Sequence, residues 1–404
     1  MADQGPGRRL WDGLTGPGGL VRPPQLRTDD NRSASRLELF FDLAFVLVVA
    51  ELAIALREDV TLHGFLVFAG LFATVWWSWI SSTLYANRFD HDDVVYRLFK
   101  LGSMAAVVGM AAAASEATGE RFTVFVLCQL VLRGLLLLQY HRAHRHVPEA
   151  RPITRLYLAG AGAGAVLWAV SLAVPRPAAF ALWGAAVLVE ALVPLLATRS
   201  RSDVPLHVEH LPERFALFVI LVLGEPVAAV AHGLYDAKWS GAALPVAVLG
   251  FVLAAGLWWS YFDLAGARAK RLLGEAGESN GALSHDVYVF GHLPLTLALA
   301  TVGAGLELAV VEAAAGEVPP GTRLLVAGGV AVYLLSASVT TSAMTGDTRR
   351  QWWWPVIAAV VAALDALLEL PAFVVIGALA VLVAVVVVAG LAQRSAGDLE
   401  TEEV

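Results

Sequence analysis

The sequence has few charged residues and almost no cysteine. Charged side chains make up 16% of the 404 residues, and the one cysteine is Cys128, so an intramolecular disulfide is excluded. Hydrophobic residues reach 58% and glycine adds 36 residues more, against a combined share of roughly 45–50% in soluble domains. Because a folded chain exposes much of its surface, so much apolar surface needs lipid as its solvent. The composition therefore excludes a soluble globular enzyme, a disordered chain and a nucleic-acid-binding protein.

The sequence also lacks the short motifs that carry common chemistries. It contains no P-loop, no H-E-x-x-H, no G-x-S-x-G and no C-x-x-C pair. We therefore expect no enzyme activity, no cofactor and no bound metal. The first 36 residues hold no apolar stretch of the kind found in signal peptides, and we expect them to form a mobile polar arm in the cytoplasm.

Long apolar runs are abundant. A helix needs about 20 apolar residues to cross a bilayer, and these runs lack the period-2 alternation of membrane strands. The pattern predicts an all-α, polytopic membrane helix bundle of about 12 transmembrane helices, with the lipid bilayer as its partner. The predicted spans are 37–56, 64–84, 95–114, 121–140, 156–174, 177–197, 211–232, 242–261, 287–309, 323–343, 352–368 and 371–391.

Basic residues are distributed unequally between the two predicted faces. The tails and the even-numbered connections hold 22 Lys and Arg residues, the odd-numbered connections hold 5, and Arg133 lies inside a span. Positive residues collect on the cytoplasmic side of membrane proteins. The count predicts a multi-pass membrane protein with both termini in the cytoplasm.

The two halves of the chain resemble each other. When residue 37 is aligned with residue 211, Glu51 falls on Glu225, and the Trp-Trp-Ser sequence at 76–78 corresponds to that at 258–260. Six spans per half give both repeats one orientation, so a 6+6 parallel internal repeat is expected; chance similarity among apolar helices is the alternative. The predicted organisation is a polar tail 1–36, repeats 37–200 and 201–393, and an acidic cytoplasmic tail 394–404.

Several ionisable residues lie within the predicted spans, where each needs a partner or a wet cavity. Glu51 and Glu225 lie at matched depth, and Pro226 removes a hydrogen bond to the carbonyl of Val222, which favours a kink. Arg133 keeps its charge and must pair with a carboxylate. Its candidate partners are Glu51, Asp42 and Glu190, and a structural ion pair and a functional anion site are both open.

Span 1 carries carboxylates in two directions. Glu38 and Asp42 share a face at its predicted cytoplasmic start, where acidic groups suit the helix dipole. Glu51, nine residues after Asp42, lies on the opposite face, so span 1 is expected to be central. With His292 of span 9, the candidate residues of a substrate or ion pathway are Asp42, Glu51, Arg133, Glu190, Glu225 and His292.

Five sequence motifs together resemble the bacterial low temperature requirement A (LtrA) family. They are R-L-E-L-F-F-D-L-A-F-V at 36–46, Y-A-N-R-F-D-H-D-D at 85–93, H-L-P-E-R-F-A-L-F-V-I-L-V-L-G-E at 210–225, W-W-S-Y-F-D at 258–263 and F-G-H-L-P-L at 290–295. The resemblance implies a multi-pass bacterial membrane protein linked by name to growth in the cold, and it supplies no catalytic residues. The motif residues that are not among the pathway candidates are Glu38, Phe41, Asn87, Arg88, Asp90, Asp92, Asp93, His210, Glu213, Arg214 and Asp263.

Three functions remain in competition. A secondary transporter or ion-conducting protein for a small ion or solute fits the intramembrane carboxylates and the buried arginine best. A non-transporting membrane factor, such as a sensor or an assembly partner, is the alternative. A membrane-embedded enzyme acting on lipid would need Asn87, Asp90, Asp92 and Asp93 to hold a divalent cation. The sequence leaves the substrate and the oligomeric state open.

Overall fold

The computed structural model describes residues 20–27, 35–90, 93–199, 210–266, 281–315, 318–345 and 353–402. The first half contains β1 (Gln25–Leu26), α1 (Arg36–Glu58), α2 (Leu62–Arg88), β2 (Phe89–Asp90), α3 (Val94–Ala111), α4 (Phe122–His146), α5 (Arg151–Ser171) and α6 (Arg176–Arg199). The second half contains α7 (His210–Val222), α8 (Gly224–Asp236), α9 (Ala243–Trp259), α10 (Gly281–Val311), α11 (Pro320–Arg323), α12 (Gly329–Thr345), α13 (Trp353–Asp365) and α14 (Ala372–Glu402).

The predicted membrane helix bundle is confirmed. Among the described residues, eleven helical segments are long and apolar enough to cross a membrane. The remaining predicted span, 352–368, corresponds to α13, which has 13 residues and is about 20 Å long at 1.5 Å per residue. The apolar sequence there is interrupted by Asp365, Glu369 and Pro371, so the helix ends before it reaches the usual spanning length. The predicted acidic tail beyond residue 393 continues α14 as helix up to Glu402.

The chain divides into two compact units. Unit 1 comprises Met1–Val48 and Thr74–Leu211, and unit 2 comprises Val49–Ala73 and Pro212–Val404. The boundary therefore crosses α1 and α2, so the end of α1 and the start of α2 belong with the second half of the chain. The internal repeat and the division at residue 200 stay predictions.

Helical regularity breaks at three places in unit 2. Span 7 is interrupted between α7 and α8 at Leu223. Span 8 ends in the π-helical segment Ser260–Gly266, and span 10 contains the π-helical segment Leu324–Gly328. Such π-turns are rare and often occur at functional sites. Unit 2 is therefore a candidate location for the functional site.

Residues 20–27 are held against the end of α2 and the start of α3, so the expectation of a mobile arm is wrong for this described part. Gln25 and Leu26 pair with Asp90 and Phe89 in a two-stranded antiparallel ladder. The backbone N–H of Val94 also donates to the carbonyl of Leu20 at 3.0 Å. This pairing could not be predicted from the sequence, because a two-residue strand has no periodicity.

Candidate functional site

A buried ion pair joins two helices of unit 1. Arg133 on α4 donates from Nε to Glu190 Oε1 and from Nη2 to Glu190 Oε2, both at 3.1 Å. The two side chains are 2% and 4% exposed. Of the three candidate partners named from the sequence, the structure therefore selects Glu190 on α6, in the bidentate geometry that guanidinium and carboxylate favour.

Neighbouring polar groups complete the coordination of this ion pair. Arg133 Nη1 donates to Ser78 Oγ at 2.7 Å and to Gln129 Oε1 at 2.6 Å. Trp77 Nε1 donates to Glu190 Oε2 at 3.1 Å. A buried pair offsets its desolvation when further hydrogen bonds satisfy its remaining atoms. The arrangement is that of a packed, neutralised ion pair between helices, the structural alternative of the sequence analysis.

A close approach of α5 to α6 holds Glu190 in place. A Cβ atom at Gly164 would lie 2.1 Å from Glu190 Oε1 and 2.8 Å from its Cγ and Cδ. Gly162, two residues earlier and on the opposite side of the same helix, has no such neighbour within 4 Å of its Cβ position. A Cβ at residue 164 would therefore displace the side chain of Glu190, whereas a Cβ at residue 162 would meet open space.

The acidic residues of α1 that lie in unit 1 have local partners. Glu38 and Ser35 form a capping box, in which each backbone N–H donates to the side chain of the other residue at 2.8 and 3.2 Å. Asp42 is fully buried and accepts from Trp79 Nε1 at 2.8 Å. Lys100 of α3 is also buried, and its Nζ lies 4.0 Å from the ring centroid of Phe41.

The motif at 85–93 contributes to the helix ends of unit 1. Arg88 donates from Nη1 to the hydroxyl of Tyr157 at 2.9 Å, and its guanidinium lies over that ring. Asn87 is buried. The side chain of Asp90 and the whole of Asp92 lie outside the described residues, so the cation site suggested for this motif stays a prediction.

Asp93 begins α3 and forms an ion pair with α4. It accepts from the backbone N–H of Tyr96 at 3.0 Å, and from Arg142 Nη1 at 3.1 Å. Its second oxygen accepts from Arg142 and from the backbone N–H of Arg22. Burial acts to raise the pKa of Asp93, but the hydrogen bonds from Arg142, Tyr96 and Arg22 outweigh it and leave the pKa below its ordinary value.

In unit 2, Glu225 lies beside the break in span 7. Pro226 lies in the first turn of α8, where its missing N–H costs no intrahelical hydrogen bond, but it leaves the carbonyl of Val222 without its usual donor. The structure interrupts the helix at Leu223, between α7 and α8, and the kink expected from the sequence stays a prediction. Glu225 is half-buried there and lies within electrostatic range of Arg57 and Glu307.

Glu307 links three helical segments of unit 2. Its Oε2 lies 3.1 Å from Nη1 of Arg57, at the end of α1, and 3.7 Å from Nδ1 of His232 on α8. The side chains of Arg57 and Glu307 are 16% and 9% exposed, whereas that of His232 is 68% exposed. The group formed by Arg57, Glu225, His232 and Glu307, here called the outer carboxylate site, thus extends from a buried position to the surface of the unit.

Small residues of α10 bring this site together. A Cβ atom at Gly303 would lie 3.0 Å from both the carbonyl carbon and the Cβ of Glu225. A Cβ atom at Gly305 would lie 2.9 Å from the backbone nitrogen of Val326 in the π-helical segment of span 10. At these two glycines the backbone of α10 therefore packs directly against both irregular segments, with no side chain between them.

The remaining predicted residues have separate environments. Glu51 is half-buried on α1 and Glu213 is exposed on α7, whereas Arg214 is buried beside it. Asp263 is half-buried within the π-helical segment Ser260–Gly266, and α7 begins at His210, whose side chain lies outside the described part of the chain. His292 is buried on α10 against Tyr261.

Sequence reasoning missed three members of the outer carboxylate site: Arg57, His232 and Glu307. Arg57 was assigned to a loop, although α1 continues to Glu58. Glu307 lies inside the predicted span 287–309, and the rule that selected Glu225 would have selected it as well. His232 follows Glu225 by seven residues, two helical turns along the same face of α8.

Comparisons with known proteins give a family and a relative. The family model described as "Bacterial low temperature requirement A protein (LtrA)" matches residues 33–389. The chain is similar to the uncharacterized protein RA0937 of Rhizobium meliloti (strain 1021), with 28% identity over 293 residues, which cover 69% of this chain and 71% of the relative. No solved structure matches the chain.

Proposed function

The chain belongs to the bacterial low temperature requirement A family, and from this premise we propose that it is a secondary transporter or ion-conducting protein whose ion site is the outer carboxylate site. The observation that carries the proposal is the packing of Glu225, beside an interrupted span, against Gly303 of α10, one helical turn before the carboxylate of Glu307. Secondary transporters often bind coupling ions at such interrupted helices.

The charges of the site leave room for a cation. The guanidinium of Arg57 pairs with Glu307 and lies within electrostatic range of Glu225. The imidazole of His232 is a second basic group beside Glu307. While His232 is neutral, two carboxylates face one permanent positive charge. Like charges in a medium of low dielectric repel strongly. Binding of a proton or another cation to one carboxylate therefore lowers the free energy of the site.

The geometry of the site also supports passage of an ion. His232 is largely exposed and Glu307 is nearly buried, so the site has one titratable group at the surface of unit 2 and one in its interior. By the distribution of basic residues, this end of the unit faces the outside of the cell. An ion could therefore enter beside His232 and reach Glu225 at the helix break.

Arg133 has a structural role in this proposal. Its charge is balanced by Glu190, and further hydrogen bonds come from Arg133 to Ser78 and Gln129. A site that binds and releases an ion needs a group whose partner can be exchanged. Arg133 and Glu190 are already hydrogen-bonded to each other and to neighbouring side chains, so neither has a position open for an ion.

Flux measurements with reconstituted protein test the proposal. Proteoliposomes are assayed with a panel of monovalent ions, divalent ions and small solutes. We expect the wild type to move at least one of them, and Glu225→Gln and Glu307→Gln to reduce that flux strongly. Glu116→Gln is the matched control, because Glu116 is exposed and paired with exposed Arg121 in unit 1.

The alternative of a non-transporting membrane factor gives a different outcome. It predicts that the wild type moves no member of the panel while the carboxylate variants lose stability or partner binding. Variants that fold normally and conduct as well as the wild type would also contradict the proposed site.

A further inference from the structure

The connection between α4 and α5 of unit 1 is strongly basic. Between residues 141 and 155 the sequence holds four arginines and three histidines, against the single carboxylate of Glu149. One of these arginines, Arg142, is already paired with Asp93. The other six residues, here called the basic turn, are His141, His144, Arg145, His146, Arg151 and Arg155. All of them are exposed except His144, which is half-buried.

Contacts between the two helices bring these residues onto one surface. The Nδ1 atom of His144 on α4 lies 2.9 Å from the hydroxyl of Thr154 on α5. The Nε atom of Arg151 donates to the backbone carbonyl of His144 at 3.4 Å. Both Arg151 and Arg155 lie within electrostatic range of the His144 ring. The basic side chains of α4 and α5 are therefore neighbours across the turn.

On α4 the basic residues continue a face that is exposed and apolar. Leu127, Val131 and Leu138 are each about half exposed, and His141 and Arg145 follow at spacings of three and four residues, on the same side of the helix. Helix α4 has 25 residues and is about 37 Å long, whereas the hydrocarbon core of a bilayer is about 30 Å thick. The basic end of this face therefore lies at the level of the lipid headgroups.

Helix α5 has the same arrangement in the opposite direction. Arg151 and Arg155 begin an exposed face that continues through Ala159, Ala163 and Val166 at spacings of three and four residues. The predicted span of this helix starts at residue 156, directly after Arg155. Two apolar, lipid-facing stripes therefore meet at the basic turn.

The arginines of this surface are available to a ligand. Among the described residues, no carboxylate forms an ion pair with Arg145, Arg151 or Arg155. A guanidinium binds phosphate through paired N–H groups and keeps its charge at any physiological pH. Because the predicted orientation places this end of unit 1 in the cytoplasm, the surface would meet the leaflet side on which anionic lipids attract basic segments.

We propose that the basic turn binds the headgroup of an anionic phospholipid. Its phosphate pairs with Arg151 and Arg155 on α5, Arg145 on α4 adds a third positive charge, and the acyl chains lie along the two apolar stripes. The inference goes beyond ion transport and does not depend on it. Bound lipid would hold the α4–α5 hairpin at the headgroup level.

Native mass spectrometry of the full chain in detergent micelles tests the proposal. Phosphatidylglycerol and phosphatidylcholine with the same acyl chains are titrated separately, and the wild type should bind phosphatidylglycerol more tightly. The double variant Arg151→Gln with Arg155→Gln should weaken that binding roughly 30-fold, since each basic residue near a lipid surface contributes about a 5-fold factor. Its affinity for phosphatidylcholine should be unchanged.

A matched control removes the same charge at the opposite end of unit 1. Arg121 and Arg176 are exposed there, and Arg176 lies over the ring of Phe122 at the start of α4. The double variant Arg121→Gln with Arg176→Gln should bind phosphatidylglycerol as the wild type does.

Two further variants separate charge from folding. Arg151→Lys with Arg155→Lys keeps both positive charges and should retain most of the affinity. If the glutamine double variant does not fold, Arg145→Gln gives the same test with an expected loss of about 5-fold.

Four results would overturn the inference. They are equal affinity for the two lipids, an unchanged affinity for phosphatidylglycerol in the folded glutamine variants, an equal loss in the lysine variant, and displacement of the lipid by a modest excess of inorganic phosphate. The last result would show that the surface takes free phosphate. Because none of these measurements involves ion flux, each outcome leaves the proposed transport function to its own test.

Discussion

At the scale of single residues, the charges inside the spans separate into paired and adjustable groups. Arg133 and Glu190 satisfy each other through two hydrogen bonds. Glu307 instead pairs with Arg57, and Glu225 lies within electrostatic range of both. The sequence could predict that each charge needs a partner. It could not select Glu190 over Asp42 and Glu51, because that choice depends on how helices pack.

Breaking the Arg133–Glu190 pair should destabilise the protein much more than removing it. Arg133→Met leaves a buried carboxylate without its counter-charge, and we expect a loss of about 3–5 kcal/mol. The double variant Arg133→Met with Glu190→Leu should recover most of that loss, because no buried charge remains. Unfolding in mixed micelles measures the cycle.

The exposed pair of Arg121 and Glu116 supplies the control for this cycle. Arg121→Met should cost about 0–1 kcal/mol, as is usual for exposed ion pairs. A double variant as unstable as Arg133→Met alone would contradict the assignment of the buried pair to structure.

Asp93 should make stability depend on pH in the acid range. Its pKa in the folded protein is below the ordinary value, so its ion pair contributes stability that is present above the unfolded pKa of about 3.9 and is lost as the pH falls through the folded pKa. Asp93→Asn should melt earlier than the wild type at neutral pH and should lose less stability on acidification. Thermal melting at several pH values measures both, and Glu149→Gln, on an exposed turn, should match the wild type throughout.

At the scale of helices, the boundaries of most spans could be predicted and their irregularities mostly could not. The apolar runs located eleven spans because the thickness of the bilayer fixes their length. Pro226 signalled the break in span 7 because proline lacks an N–H. No comparable residue marks the π-helical segments. The segment Leu324–Gly328 packs against Gly305 of α10, a tertiary contact that sequence periodicity does not encode.

Two glycines of α5 should respond differently to alanine. Gly164→Ala places a Cβ against Glu190, and the displaced carboxylate weakens its bond to Arg133, so we expect a loss of about 1–3 kcal/mol. Gly162→Ala meets open space and should be neutral or stabilise by up to about 1 kcal/mol, since alanine favours helix. Equal effects of the two substitutions on thermal unfolding would show that the contact with Glu190 is unimportant.

Replacing the proline beside Glu225 should make span 7 more regular. In Pro226→Ala, an N–H becomes available to the carbonyl of Val222, and α7 and α8 can join into one helix. We expect a higher melting temperature and a lower ion flux. Pro194→Ala, within the uninterrupted helix α6, is the control and should leave flux unchanged. Normal flux in a stabilised Pro226→Ala protein would show that the break has no role in transport.

At the scale of the whole molecule, composition and the apolar runs predicted that the protein lies in a membrane. They also predicted the number of spans to within one. Lipid is required to solvate the apolar surface, and this requirement appears in residue counts alone. The grouping of residues 49–73 with the second half of the chain could not be predicted, because contacts between distant segments leave no periodic signal. For the same reason the sequence did not join Arg57 to Glu307, which are 250 residues apart along the chain.

The most direct measurement of the central claim compares ion flux through two altered proteins at equal amounts in the same liposomes. One carries Glu225→Gln with Glu307→Gln, and the other carries Arg133→Met with Glu190→Leu. Our account predicts that flux is lost in the first protein and retained in the second, because the ion site lies in unit 2 and the ion pair of unit 1 is structural. Retained flux in the first protein and lost flux in a folded second protein would contradict it.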